Sequence, residues 1–215
     1  HWHGTHCGGT IAADSNNGVG VAGVAGGDGA PGSGAALMVA VVFGDTATQG
    51  FGEALLYGAD NGAQISSNSW GYTMSGVYEQ SVLDAIDYYN EKRGIVVFAA
   101  GNSNSEADYY PGFYDGAVAV AAVDNSGTRA WFSNYGSWID IAAPGVTVHS
   151  TVPVSMDADG AADGYMDSDG TSMACPHVAG VLALGLAVDP DAAKEDLLQC
   201  AFDTSVDVDA QNGAY

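Results

Sequence analysis

Gln64-Ile65-Ser66-Ser67-Asn68-Ser69, the helical pattern over residues 77–93, and Gly94-Ile95-Val96-Val97-Phe98-Ala99-Ala100 together decide the fold class. The two outer stretches have the length of strands, and the second is apolar throughout. Between them Val82, Leu83, Ile86 and Tyr89 recur at helical spacing, and Gly94 ends the helix. A strand, a helix and a second strand in this order predict two parallel strands joined by a right-handed crossover.

The same alternation extends in both directions. Residues 37–43 read as a buried strand. Residues 51–61 read as a helix, with Ala54, Leu55, Tyr57 and Gly58 near one face and Gly62 as its stop. Residues 117–123 and 139–142 are further strands, 170–188 a long apolar helix and 192–202 a more polar one. The prediction is an α/β domain: a three-layer αβα sandwich around a mostly parallel, doubly wound sheet. Ligands of such sheets bind beyond the carboxyl ends of the strands. The Gly-rich residues 23–34 read as a surface loop, and residues 154–169 as an exposed turn or hairpin. With no repeat and no linker, residues 1–215 read as one domain.

The 215 residues carry 26 acidic and 4 basic side chains, a net charge of −22. That balance opposes binding to nucleic acid or anionic lipid and favours solubility. Adaptation to high salt and charge offset by bound calcium are sharper readings of the same number. No apolar run reaches the roughly 18 residues of a membrane span. The three cysteines, Cys7, Cys175 and Cys200, match neither a disulfide framework nor a zinc pattern.

Three local signals carry chemistry. Gly170-Thr171-Ser172-Met173-Ala174-Cys175-Pro176-His177-Val178-Ala179-Gly180 puts Ser172 at the head of a buried helix, where free N–H groups and the helix dipole stabilise an oxyanion. Pro176 is tolerable if it lies in the first turn. Read alone, Ser172 is equally a helix N-cap. His3-Gly4-Thr5-His6-Cys7 offers an imidazole, or a histidine pair without a third metal ligand. Phe98-Ala99-Ala100-Gly101-Asn102 ends a strand on an amide donor, or on a turn residue.

His-Gly-Thr-His, Ser69-Trp70-Gly71, Ala-Ala-Gly-Asn, Ala143-Pro144-Gly145 and the Ser172 segment follow the order of the subtilase family, which the chain resembles over nearly its whole length. Tyr110-Pro111-Gly112 and Phe132-Ser133-Asn134-Tyr135-Gly136 are similar to subtilase segments too, and Cys7 to the proteinase K- and thermitase-like branches. The resemblance implies a subtilisin-like fold and a secreted serine endopeptidase. Ser172 would be the nucleophile, His3 its general base, and Asn102 the side-chain donor to the oxyanion. Ser69, Trp70 and Gly71 would form one wall of a peptide cleft, with Ala100 and Gly101 opposite. His6 would be structural and His177 a core residue. Asn17 and the Val19 and Val21 carbonyls would bind a structural calcium ion. Tyr109 and Tyr110 fall where a pocket floor would narrow.

The resemblance also implies a catalytic Asp upstream of His3, and only His1 and Trp2 precede it. Asp14, Asp28 and Asp45 follow His3 without the flanking pattern. The expectation is therefore a chain partial at its amino end, without the first strand or strands, and also at Gly213-Ala214-Tyr215. An upstream segment of the same precursor would supply the Asp. In trypsin, changing that Asp to Asn lowers kcat about 10⁴-fold, so this chain alone is expected to fold poorly or show little activity. The competing readings are an inert peptide-binding relative and a sedolisin-like acid peptidase. His3 and Asn102 argue against the acid peptidase.

Overall fold

The computed structural model describes residues 2–44, 49–158 and 160–212. Asp45 and Gly213-Ala214-Tyr215 lie outside them. Its helices are α1 (Trp2–Ala12), α2 (Phe51–Asp60), α3 (Gln80–Glu91), α4 (Thr171–Val188), α5 (Lys194–Asp203) and α6 (Asp209–Asn212). Its strands are β1 (Ile65–Asn68), β2 (Ile95–Ala99), β3 (Val118–Val123), β4 (Ile141–Pro144), β5 (Val148–Thr151) and β6 (Tyr165–Ser168).

All five residues of β2 are buried, as expected for a parallel strand covered on both faces. Strands β1 to β4 form one parallel sheet in sequential order, with Ile65 opposite Ile95, Val97 opposite Val118 and Val120 opposite Ile141. Alternation along the strands builds two cores. Ile95, Val97, Val118 and Val120 pack against Ala174, Val178 and Leu182 of α4 and Leu197 of α5. Val96 and Phe98 pack on the other face against Leu55 of α2 and Val82, Ile86 and Tyr89 of α3. Helices thus cover both faces, giving the expected αβα layers. Strands β5 and β6 form a separate antiparallel pair, Val148 opposite Ser168, which gives residues 154–169 their hairpin character.

Four expectations are corrected. Residues 37–43 do not form a strand of the sheet: only Phe43 makes a bridge, and Val39 and Val41 are each 79% exposed. A run this apolar is buried only when strands flank it, and the sheet's outer strand among the described residues is β1. Residues 23–34 are not wholly at the surface. Val24 and Ala25 donate backbone hydrogen bonds to Thr10 and Ile11 of α1, and Ala25 is buried. Helix α4, with 18 residues and mean hydropathy 1.6, does reach membrane-spanning length. It is Gly- and Ala-rich and half-buried between the sheet, α1 and α5, the situation of a core helix. His177 is half-buried, with Nδ1 2.8 Å from the Met173 carbonyl oxygen, and is not a core residue.

Candidate active site

The site is organised by the first two turns of α4. Gly170 precedes the helix with φ 151 and ψ 157, a conformation almost confined to glycine. Its carbonyl accepts from the Met173 and Ala174 N–H groups. Ser172 is the second helical residue, so the N-cap reading of its side chain does not hold. Pro176 lies in the second turn, not the first. Its ring nitrogen cannot donate to the carbonyl four residues back, that of Ser172. Other donors take its place: Ser69 Oγ at 2.8 Å and Cys7 Sγ at 3.4 Å. The proline that looks costly in the sequence thus ties α4 to α1 and to the end of β1. In return, Ser172 Oγ lies 3.4 Å from the Ser69 carbonyl.

Cys7 is one turn after His3 on α1, so both share a face, and the Cys7 contact turns that face towards Ser172. His3 is half-buried. Burial, with a smaller contribution from His6, lowers its pKa below the usual histidine value. That shift favours the neutral imidazole, the form a general base needs. His6 is fully buried, and its Nε2 lies 3.0 Å from the Val148 carbonyl and 3.1 Å from that of Met166. Two carbonyl partners require a proton on Nε2. His6 therefore fastens α1 to the β5–β6 hairpin. Among the described residues no group of three His, Cys, Asp or Glu side chains is placed to hold a metal.

Asn102 follows β2 at its carboxyl end. Its Oδ1 accepts from the Thr171 N–H and from the Thr171 hydroxyl, each at 2.9 Å. A backbone donor fixes the amide orientation, so Nδ2 points away from Thr171. The place a Gly170 side chain would occupy is 3.5 Å from the Ser172 nitrogen and 3.7 Å from Asn102 Nδ2. Met173 Sδ is 3.6 Å from the same place, so the Ser172 nitrogen, Met173 Sδ and Asn102 Nδ2 all lie close to Gly170. The Thr171 hydroxyl also accepts from the Gly101 N–H at 3.1 Å, and Thr171 itself is fully buried.

A cleft of about 320 Å³ opens beside Asn102, Thr171 and Ser172. Trp70, Gly71, Ala100, Gly101, Asn102 and Ser172 all line it, as do Tyr109 and Tyr110. Ser69 does not line it; it reaches Ser172 from behind. Trp70 has its ring stacked on Phe51 at 4.1 Å and set edge-on to Phe98, and its Nε1 donates to Asn68 Oδ1. The ring therefore packs against the α2 side of the core as well as bordering the cleft. The segment after β1 is held to the opposite rim by the Tyr72 N–H on the Tyr110 carbonyl at 3.0 Å.

The expected calcium ligands fit less well. Asn17 Oδ1 accepts from the Val19 N–H at 2.9 Å in an exposed turn, and Val19 is 64% exposed. Asn17 and the two valine carbonyls provide only neutral oxygens, whereas calcium sites usually include carboxylates. The described residues do not make a complete calcium site.

Sequence reasoning missed Thr171, although it stands inside the quoted motif, because only the Ser beside it is a nucleophile by type. It missed the role of Ser69 behind Ser172, whose signal was Pro176 and the orphan carbonyl that a helical proline implies.

A sequence model of the Peptidase S8, subtilase, family matches residues 1–214. Thermitase from Thermoactinomyces vulgaris is 37% identical over 213 residues, covering 99% of this chain and 70% of thermitase. Subtilisin BL from Lederbergia lenta is 41% identical over 187 residues, covering 85% of this chain and 62% of that protein. Among solved structures, a protease of Pseudoalteromonas arctica PAMC 21717 superposes with a TM-score of 0.84 at 35% identity, covering 99% of this chain and 66% of that one. Sphericase does so with 0.78 at 29% identity, over 95% of this chain and 69% of that one. The chain spans roughly two thirds of these relatives. Sequence match and superposition agree: the chain belongs to the subtilase family of serine proteases.

Proposed function

We propose that this chain carries the nucleophile, the base and the oxyanion donors of a secreted serine endopeptidase. Ser172 Oγ attacks the peptide carbonyl while His3 accepts its proton. The tetrahedral oxyanion is held by the Ser172 N–H and Asn102 Nδ2. His3 then passes the proton to the leaving amine, and water hydrolyses the Ser172 ester by the reverse sequence. The observation that carries this reading is that Ser172 and Asn102 line one cleft, with Asn102 Oδ1 held by Thr171 so that Nδ2 is the end left to donate. An extended peptide pairs with the backbone of Trp70–Gly71 on one side and Ala100–Gly101 on the other, as an added strand.

The orienting Asp comes, in this reading, from a segment upstream of His3 in the same precursor. The exposed apolar residues 37–43 and the outer edge of β1 among the described residues support it, since they leave room for a further strand. Such a strand would bring the carboxylates that the Asn17, Val19 and Val21 loop needs to hold calcium.

The test is labelling by a fluorophosphonate probe of a protein extended upstream of His1, with casein hydrolysis alongside. Labelling that disappears in Ser172→Ala, with hydrolysis, supports the enzyme. A folded extended protein that binds peptides but neither labels nor hydrolyses identifies an inert binding relative.

A further inference from the structure

We infer that Asn134 is a positioning residue for Asn102, an inference that rests on the protease reading above. Asn134 is fully buried and lies in the turn after Ala130 and Phe132, two residues of the core between the sheet and α4. Every polar group of its side chain is spent on the loop that carries Asn102. Nδ2 donates to the Ala100 carbonyl at 2.8 Å, on the near side of Asn102. Oδ1 accepts from the Ser103 N–H at 2.9 Å and the Ser105 N–H at 3.2 Å, on the far side. Its own backbone N–H donates to the Gly101 carbonyl at 2.9 Å. All four partners are backbone groups, so the amide orientation is fixed by their chemistry.

One side chain therefore brackets Asn102 from both sides. Thr171 holds the Asn102 amide itself; Asn134 holds the backbone on which that amide stands. Gly101 shows how close the bracket is: a Cβ there would lie 2.5 Å from Asn134 Nδ2. Arg129 secures the outer limb, donating from NH1 to Asn104 Oδ1 at 3.0 Å and to the Ser133 carbonyl at 2.6 Å. An oxyanion donor acts through its placement, since a shift of about 1 Å can cost of the order of 10²-fold in rate. The side chain of Asn134 makes its hydrogen bonds to the loop backbone and not to Ser172. Its effect on the rate passes through Asn102.

The experiment is a double-mutant cycle in the extended protein, with kcat and KM measured on a peptide anilide. Asn134→Ala is expected to lower kcat about 10–100-fold with KM within about twofold, because the lost interaction is made only in the transition state. In an Asn102→Ala background the same substitution is expected to change kcat less than about twofold, since the donor it places is gone. An equal loss in both backgrounds, or a change in KM alone, overturns the inference. Should Asn134→Ala not fold, Asn134→Asp runs the same cycle. It keeps both accepted N–H bonds and loses the donation to Ala100, with the same non-additivity expected. Additivity in a hydrolysing, Ser172-labelled protein sinks the inference alone. Absence of both hydrolysis and Ser172 labelling in the parent protein sinks the protease reading and this inference with it.

Discussion

The side-chain oxygen of Asn102 is held twice by Thr171, by its N–H and by its hydroxyl, each at 2.9 Å. That relationship turns an amide with two interchangeable ends into a donor facing one way. Removing Asn102 Nδ2 by Asn102→Leu is expected to lower kcat about 10²–10³-fold with KM little changed, the size typical for loss of one oxyanion donor. Thr171→Val, which keeps the N–H contact and loses the hydroxyl, is expected to lower kcat by roughly tenfold, equivalent to one hydrogen bond. Thr171→Ser restores it. Steady-state kinetics on a peptide anilide in the extended protein check both.

Pro176 and Ser69 predict an exchange of donors. Ser69→Ala removes the 2.8 Å bond to the Ser172 carbonyl and is expected to cost about 1 kcal/mol. Pro176→Ala provides the helical N–H that this carbonyl lacks. The double variant should recover much of the loss in urea unfolding. Costs that simply add would show that the proline and the hydroxyl do not share that carbonyl.

Gly101 has φ 103, and a Cβ there would lie 2.5 Å from Asn134 Nδ2. Gly101→Ala is expected to destabilise the protein by about 1–3 kcal/mol through backbone strain and to lower kcat, because the loop must shift to admit the methyl group. Thermal unfolding and kinetics on one preparation measure the two together.

The histidines set a pH dependence. Burial is the largest influence on His3, His6 and His177, and it lowers the pKa of each. In the unfolded chain they take up protons near pH 6.5; in the folded one they resist doing so. Their contribution to stability is complete above pH 6.5 and is lost as the pH falls through their lowered values. The melting temperature should therefore drop on acidification from pH 7.5 to 5. His6→Gln, which keeps a donor for the Val148 and Met166 carbonyls, should reduce that slope. In the extended protein the upstream Asp carboxylate beside His3 opposes the effect of burial, so replacing that Asp by Asn should move the acid limb of kcat/KM to lower pH.

Much of this was legible in the sequence because it depends on periodicity. Helix α3 and strands β2 and β3 are read from apolar spacing alone, and the cleft follows from where β2 ends. Ser172, Asn102, Ala100, Gly101 and Gly71 fall in or around that cleft. What the sequence hid depends on partners distant in the chain. Residues 37–43 have the composition of a core strand, but composition does not say whether a neighbour lies alongside. Thr171 and Asn134 matter because they meet residues about 70 and 30 positions away, and neither has a side chain whose type announces catalysis. Pro176 was misplaced because the first turn is where prolines are usual; the hydroxyl and thiol that satisfy the orphan carbonyl come from β1 and α1.

Where no further strand covers it, the ribbon at residues 37–43 also governs how copies of this chain treat one another. Val39 and Val41 face water almost completely, and such a surface invites a second molecule to lie against it. A net charge of −22 holds neighbours apart at neutral pH and low ionic strength. Concentrated salt shortens the reach of that repulsion, and acid near pH 4 neutralises the carboxylates that create it. Colloidal stability is thus expected to fail first in those two conditions, with light scattering rising before any change in circular dichroism.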